Sequence, residues 1–150
     1  MIIRTVRGDN MEVKFSKDKI RKLINQYYSE VLGIEGSAII RVFKDYVGYG
    51  MGEHIDCVVA INYIGKTKIL GDEVPISIDV NDEKLKNIIS FFLEKEGYSI
   101  KRFDIDKGLD CRTEGYGMGE HIESYPYFRG VNVNINKNVK KIGVKNNEKC

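Results

Sequence analysis

One octapeptide occurs twice in this chain of 150 residues and constrains its fold more than any other feature. The first copy is Gly48-Tyr49-Gly50-Met51-Gly52-Glu53-His54-Ile55, and the second is Gly115-Tyr116-Gly117-Met118-Gly119-Glu120-His121-Ile122. Position 115 lies 67 residues after position 48, and the chain's 2 histidines occupy the same place in both copies. Chance does not produce such a repeat in a short chain, so these twin segments predict an internal tandem duplication.

The residues that precede the twin segments follow the same order of predicted elements in both halves. The ranges 6–15 and 69–78 each read as a strand, a Gly-Asp turn and a second strand. Ser16 and Asn81 then offer helix N-caps, with acidic residues in the first turn. Apolar residues spaced by three and four positions predict one buried face on each helix. These residues are Ile20, Leu23, Ile24, Tyr27 and Val31 in the first helix, and Leu85, Ile88, Ile89 and Phe92 in the second.

The residues after each helix predict two further strands on either side of a long loop. Gly36 and Gly97 are expected to end the helices, because glycine tolerates the left-handed conformation found there. The strands are predicted at 38–43 and 57–63 in the first half, and at 99–103 and 127–135 in the second. Differences in length between the halves fall at 79–80 and 107–112, which we expect to be element ends.

These patterns predict an α+β fold, built from two ββαββ-type modules with a strand-helix-strand-strand core. About 65 residues can barely bury a core alone, so the modules are expected to share one. We therefore predict a single domain in which two helices pack on antiparallel sheet around a pseudo-twofold axis. Repeat one spans 1–64, repeat two spans 65–135, and a basic tail spans 136–150. The element order resembles that of duplicated ligand-binding domains related to gyrase inhibitory protein, and the resemblance implies a groove between modules.

Composition favours an ordinary cytoplasmic protein. Charged residues make up 31% and hydrophobic residues 42% of the chain, and no apolar run is long enough to span a membrane. Three cysteines, an odd number, predict no disulfide framework. The net charge is +2, although the tail alone carries five lysines and one glutamate, so the remainder is slightly acidic and we expect no nucleic-acid partner. The abundance of Lys, Ile and Asn suggests a low-GC bacterium or its phage.

The twin segments combine residue types suited to holding a small anion. Alternating glycines let a ligand approach the backbone, and their N–H groups can form an anion-binding concavity. Tyrosine offers a ring for stacking, glutamate accepts hydrogen bonds, and histidine both donates and accepts near neutral pH. The predicted ligand-binding residues are Gly48, Tyr49, Gly50, Gly52, Glu53 and His54, with Gly115, Tyr116, Gly117, Gly119, Glu120 and His121. A structural role remains the alternative, with Met51, Ile55, Met118 and Ile122 filling the core.

The leading functional hypothesis is recognition of a nucleotide-like anion without chemistry. Two equal segments give two equal half-sites, which suits a ligand with its own approximate symmetry, such as a cyclic dinucleotide. Arg41, Arg102 and Arg112 are candidates for additional phosphate contacts. No cofactor is expected.

The alternative enzymatic hypothesis is phosphodiester cleavage, with His54 as general base and His121 as general acid or the reverse. This layout resembles the two-histidine phosphoesterases, which carry one His-hydrophobic-Thr/Ser motif in each lobe. The chain departs from that motif, because Asp56 and Glu123 stand where the hydroxyl residues belong. We therefore favour a binding protein over an enzyme.

Two further hypotheses stay open. Glu53, His54, Glu120 and His121 could supply nitrogen and oxygen ligands to zinc or manganese, and Cys57 follows His54 by three residues. A protein-binding inhibitor module is the other, because the aromatic group Tyr125, Tyr127 and Phe128 follows the second twin segment.

Overall fold

The computed structural model of this protein describes residues 2–6, 10–47, 54–114 and 121–138, with side chains described for 11–46, 55–111 and 123–138. Within these ranges the chain forms seven strands and two α-helices. The elements are β1 (Ile2–Val6), β2 (Asn10–Ser16), α1 (Lys17–Gln26), a π-helical turn (Tyr27–Val31), β3 (Glu35–Val47), β4 (His54–Ile69), β5 (Asp72–Asp79), α2 (Asp82–Lys95), β6 (Tyr98–Glu114) and β7 (His121–Lys137).

Both helices begin at the residues that the sequence predicts. The Ser16 hydroxyl accepts a hydrogen bond from the backbone N–H of Lys19 at 3.2 Å. The Asn81 side chain accepts one from the N–H of Lys84 at 2.8 Å. Each contact satisfies one of the backbone donors that the first turn of a helix leaves without a partner. The predicted N-caps are confirmed.

The buried face of the first helix differs from the prediction at its C-terminal end. Ile20, Leu23 and Ile24 are buried as expected, but Tyr28 is buried in place of Tyr27, and Val31 is 43% exposed. The π-helical turn over Tyr27–Val31 adds a residue to the turn, so later side chains rotate away from the 3.6-residue stripe. In α2 the predicted Leu85, Ile88 and Ile89 are buried.

A different glycine from the predicted one follows the first helix. Gly33 has a φ of +69° and lies in the connection to β3, whereas Gly36 lies inside β3. Gly36 pairs with Gly65 of β4, and a Cβ on Gly36 would collide with the backbone oxygen of Ile64. Gly36 is therefore required by close approach of two strands, and the prediction that it ends the helix is wrong. Gly97 has a φ of +88° directly after α2, as predicted.

The strands form two antiparallel sheets. One has the order β1-β2-β7-β6 and the other the order β3-β4-β5. In the first sheet β2 pairs with the C-terminal half of β7, and in the second β5 pairs with the C-terminal half of β4. The first sheet thus combines the two strands that precede α1 with the two that follow α2, and the second sheet combines the two strands that follow α1 with the strand that precedes α2. The predicted α+β class with two helices and antiparallel sheet is confirmed, while the duplication and its pseudo-twofold axis stay predictions.

The strands extend further than the sequence patterns indicate. The range 107–112, expected to be an element end, lies within β6 and begins at a register shift between Asp106 and Lys107. The predicted boundary between the repeats at 64–65 falls inside β4. The second Gly-Asp turn is formed by Leu70 and Gly71, both with positive φ, as a two-residue hairpin turn requires. The first such turn lies outside the described residues.

One hydrophobic cluster joins both helices and both sheets. Tyr63 of β4 is fully buried at its centre, and its hydroxyl donates a hydrogen bond to the Ile34 carbonyl at 2.8 Å. Its ring lies 4.8 Å from that of Tyr28, centre to centre. Burial raises the pKa of both Tyr28 and Tyr63 above the ordinary tyrosine value of 10.0, because the charged phenolate loses its hydration. The shared core supports the predicted single cluster for both halves.

Candidate functional site

Each twin segment connects the two strands of one long hairpin. Hairpin one consists of β3 and β4, and its last pair is Val47 with His54. Hairpin two consists of β6 and β7, and its last pair is Glu114 with His121. Six residues connect the strands in each case, namely 48–53 and 115–120. Both histidines therefore open the second strand of their hairpin in the same register.

Most of the predicted ligand-binding residues belong to these connections. Gly48, Tyr49, Gly50, Gly52 and Glu53, like Gly115, Tyr116, Gly117, Gly119 and Glu120, lie outside the described residues. His54 and His121 have described backbones only. The strands that flank the twin segments are described, and the paired strands of each hairpin are called its arm.

The two arms contact each other close to the ends that bear the twin segments. The Lys44 ammonium of hairpin one lies 3.2 Å from a carboxylate oxygen of Glu123 in hairpin two. Lys44 is three residues before Val47, and Glu123 is two residues after His121. A strand rises about 3.3 Å per residue, so each end lies within about 10 Å of strand from this ion pair. The ion pair thus joins the two hairpins within three residues of the last strand pair of each.

A second contact joins the arms and lies further from the end of hairpin two. The buried Cys57 thiol donates a hydrogen bond to the Tyr127 carbonyl at 3.4 Å. Since Cys57 pairs with Lys44 across hairpin one, both contacts originate at the same level of that hairpin. Hydrogen bonding in a buried setting occupies the thiol, which does not favour Cys57 as a metal ligand.

A groove of about 530 Å³ lies between the arms, lined by 55–59 of β4 and 107–109 of β6. Gly108 in its wall pairs with Tyr127, and a Cβ there would come within 2.6 Å of the Tyr127 hydroxyl. The missing side chain therefore leaves room for the tyrosine ring over β6. The groove runs alongside the interarm contacts.

The charges near the two ends differ although the twin segments do not. In hairpin one Asp45 stands directly opposite Asp56, whereas in hairpin two Arg112 stands directly opposite Glu123. Both pairs occupy equivalent places, 67 residues apart. Directly opposed like charges destabilise a strand pair, and opposed unlike charges stabilise it. The strand pairs next to the two identical segments therefore carry different charges, two acidic residues in hairpin one and one basic with one acidic residue in hairpin two.

The predicted arginine contacts are only partly compatible with this geometry. Arg41 lies six residues before Val47, at about 20 Å of strand, and Arg102 lies twelve residues before Glu114, at about 40 Å. Arg102 also pairs with Asp104 at 2.9 Å. Arg102 is too distant to reach a ligand at the end of hairpin two. Arg112, whose side chain is not described, is the one predicted arginine close to a twin segment.

The aromatic group expected to anchor a protein partner is largely enclosed. Phe128 is buried, and the Arg129 guanidinium stacks on the Tyr127 ring at 4.2 Å. Arg129 also lies 3.8 Å from an Asp106 carboxylate oxygen. These side chains stabilise the bulged part of hairpin two and present little free aromatic surface.

Within the ranges that the structure describes, no group of three or more His, Cys, Asp or Glu side chains could hold a metal ion. Of the four predicted ligands, Glu53 and Glu120 lie outside those ranges, and the side chains of His54 and His121 are not among those described. In the same described part, no helix is both long and apolar enough to cross a membrane.

Sequence reasoning did not identify the residues that join the arms. Lys44 and Glu123 are 79 positions apart, and no local pattern links them. The only sequence signal was the acidic residue that follows each twin segment, Asp56 or Glu123. Its role in hairpin two depends on a neighbour that only the tertiary structure supplies.

No protein-family profile matches this chain, and no curated protein or solved structure matches it either.

Proposed function

We propose that this protein binds a small nucleotide-like anion with its twin segments, which act as two half-sites of one recognition site. The observation that carries the proposal is the 3.2 Å ion pair between Lys44 and Glu123. It holds the two hairpins together within a few residues of the twin segments. A single ligand can engage two half-sites only if their supports are neighbours, and the ion pair supports that condition.

The residue types of the twin segments suit a nucleotide. Glycine N–H groups and the two histidines would take the phosphates, and Tyr49 and Tyr116 would stack on bases. Glu53 and Glu120 would accept hydrogen bonds from a base edge or a ribose hydroxyl. A cyclic dinucleotide offers two copies of this chemistry, so its second half would bind at high effective concentration.

The proposed equivalence of the half-sites rests on a duplication of the chain. The cross-pairing of β2 with β7 and of β5 with β4 supports it, because the first half supplies β1 and β2 to the sheet of β6 and β7, and the second half supplies β5 to the sheet of β3 and β4. The identical six-residue connections between the last strand pairs support it as well. A pseudo-twofold arrangement of this kind would present the twin segments to a ligand in the same way.

Calorimetric titration with cyclic dinucleotides and linear nucleotides tests the proposal. His54→Ala and His121→Ala should each weaken binding of the same nucleotide, by about tenfold, because each removes one charge-assisted contact. Lys68→Ala, on an exposed part of β4 far from the segments, is the matched control and should change nothing. A large loss from one histidine variant with none from the other would reject two equal half-sites.

The fate of the bound molecule separates binding from catalysis. We expect the nucleotide to return unchanged after the protein is denatured, because Asp56 and Glu123 stand where a phosphoesterase of this layout needs hydroxyls. Chromatography of the released ligand measures this. A hydrolysed product whose formation depends on both histidines would establish the enzymatic alternative instead.

A further inference from the structure

A second cavity lies far from the twin segments, between the two helices and over the β2-β7-β6 part of the first sheet. Its volume is about 550 Å³, within the usual range of about 300–1,000 Å³ for small-molecule sites. Lys19, Leu23 and Gln26 line it from α1, at spacings of four and three that place them on one helical face. Phe92 and Lys95 line it from α2.

The interior of this interhelical cavity is apolar. Phe15 of β2 lies at its floor, with Leu23, Phe92, Leu93 and Tyr98 around it. None of these side chains offers a charge, and only the Tyr98 hydroxyl can form a hydrogen bond. Such a surface suits the hydrocarbon part of a ligand, because burial of apolar area supplies most of the free energy of binding.

The rim of the cavity is cationic. Lys19 and Lys95 line it together with a single carboxylate, Glu96, so cations exceed anions by one. The Lys95 ammonium lies 4.7 Å from the centre of the Phe91 ring and 5.6 Å from that of Phe92, which lines the cavity. Among the described residues, neither Lys19 nor Lys95 has a carboxylate within ion-pair distance. Within the described part of the chain, both ammonium groups can therefore contact a ligand anion without first breaking an ion pair.

We propose that the interhelical cavity binds a small amphiphilic carboxylate, with the hydrocarbon tail between α1 and α2 and the carboxylate at Lys19 and Lys95. The pairing of an apolar interior with a cationic rim selects this class over neutral apolar molecules and over cations. The site is separate from the twin segments and does not depend on the function proposed for them.

Decanoate is a suitable probe, titrated into the full-length protein by calorimetry and by methyl NMR. Binding should shift the methyl signals of Leu23 and Leu93 and should saturate with one decanoate per chain. Decyltrimethylammonium, which has the same tail and the opposite charge, should bind at least about tenfold more weakly, because it loses charge-assisted contacts with two lysines. Equal affinity for both probes, or saturation without Leu23 and Leu93 shifts, would overturn the proposal.

Variants localise the carboxylate and the tail separately. Lys19→Glu and Lys95→Glu should each weaken decanoate binding by about tenfold, while Lys22→Glu on α1 and Lys86→Glu on α2 are the matched controls outside the cavity and should leave it unchanged. Gln26→Trp should abolish binding by filling the mouth, and because Gln26 is exposed the fold should tolerate it. Equal effects of the cavity lysines and the control lysines would reject the site.

Two further comparisons complete the test. His54→Ala/His121→Ala should bind decanoate like the parent protein, so failure of the twin-segment function would not affect this result.

The N–H of Asn138 donates to the Gly97 carbonyl at 2.8 Å, which places the last described residue next to the cavity wall at Glu96 and Tyr98. Decanoate binding that appears only after removal of 139–150 would assign the cavity to the chain's own terminus and overturn the proposal.

Discussion

Hairpin one and hairpin two carry identical octapeptides on arms that are built differently. In hairpin one the pairing runs from Glu35 opposite Lys66 to Val47 opposite His54 without a register shift.

In hairpin two the register shifts between Ile100 and Arg102, and again between Asp106 and Lys107. The first shift places one extra residue, Lys101, on β6, and the second places one extra residue, Arg129, on β7.

The two shifts cancel because the extra residues lie on opposite strands. Glu114 consequently faces His121 across a connection of six residues, as Val47 faces His54 in hairpin one. A single bulge would have moved the last pair by one residue and turned the following side chains to the other face. The two hairpins thus end in equivalent strand pairs, although only hairpin two contains bulges.

Equivalent positions of the two hairpins are also packed in two different ways. Tyr63 of β4 and Gly130 of β7 are 67 residues apart, the same spacing as the twin segments. Tyr63 fills the core with its ring, whereas Gly130 has a φ of +137° and brings its backbone against Phe15 of β2. The core of hairpin one is completed by a side chain, and that of hairpin two by the adjacent strand.

The largest expected effect comes from breaking the cancellation of the bulges. Deletion of Lys101 alone should cost about 4 kcal/mol or more of unfolding free energy, because a one-residue slip exposes the buried face of a strand. Deletion of both Lys101 and Arg129 should cost less than either single deletion, since the pairing regains one register. Urea denaturation measures all three. A double deletion that loses as much as the sum of the single ones would refute the cancellation.

Substitution of the two glycines that lie against a neighbouring strand should give the next largest loss of unfolding free energy. Gly130→Ala should cost about 3 kcal/mol, because the new Cβ meets the Phe15 carbonyl in a strained conformation. Gly36→Ala in hairpin one should cost a similar amount through its clash with β4. The control is Gly71→Ala, where φ is +88° and the space is open, with an expected loss of about 1 kcal/mol. Losses at Gly130 and Gly36 that are no greater than the loss at Gly71 would mean that close approach of the strands does not require these two glycines.

A third test uses the tyrosine that distinguishes hairpin one. The folded-state pKa of Tyr63 and Tyr28 is raised above 10.0 by burial, so the unfolded chain loses these protons at a lower pH than the folded one. Their contribution to stability is complete below about pH 10 and is lost as the pH rises through the folded-state pKa. The unfolding free energy should therefore fall more steeply above pH 10 in the parent than in Tyr28→Phe/Tyr63→Phe. Parallel pH profiles would contradict this assignment.

The smallest expected effect concerns the ion pair between the hairpins. A double-mutant cycle of Lys44→Ala and Glu123→Ala should give a coupling of about 0.5–1 kcal/mol, because both side chains are partly exposed. The Lys66–Glu73 pair between β4 and β5 of a single sheet is the control, and its greater exposure should bring its coupling close to zero. If the two couplings are equal, the contact between the arms has no special energetic role.

Local sequence signals predicted the helices well and their surroundings less well. The N-caps Ser16 and Asn81 are correct because a side chain that satisfies its own helix end needs no distant partner. The burial of Tyr28 in place of Tyr27 was not predictable from a 3.6-residue period, since the π-helical turn departs from that period and Tyr28 packs against the distant Tyr63. Gly36 was misassigned for the same reason, because its constraint comes from Ile64 and Gly65.

The candidate site likewise has features that the sequence predicted and features that it did not. The repeat identified the twin segments, their histidines and their equal spacing, and the structure places those segments between paired strands of equivalent register. The ion pair between the two hairpins, Lys44 with Glu123, was not predictable from the sequence. It joins residues from different sheets, and its formation depends on how the sheets pack.

The sequence by itself determined the repeated octapeptide and the helix starts, because each is encoded in residues that are close along the chain. Only the tertiary structure decided which strands share a sheet, where the bulges cancel and which residues join the two hairpins. Those features depend on contacts between residues far apart in the sequence. Their free energy comes from shared burial and from close approach of backbones, and no local pattern reports either one.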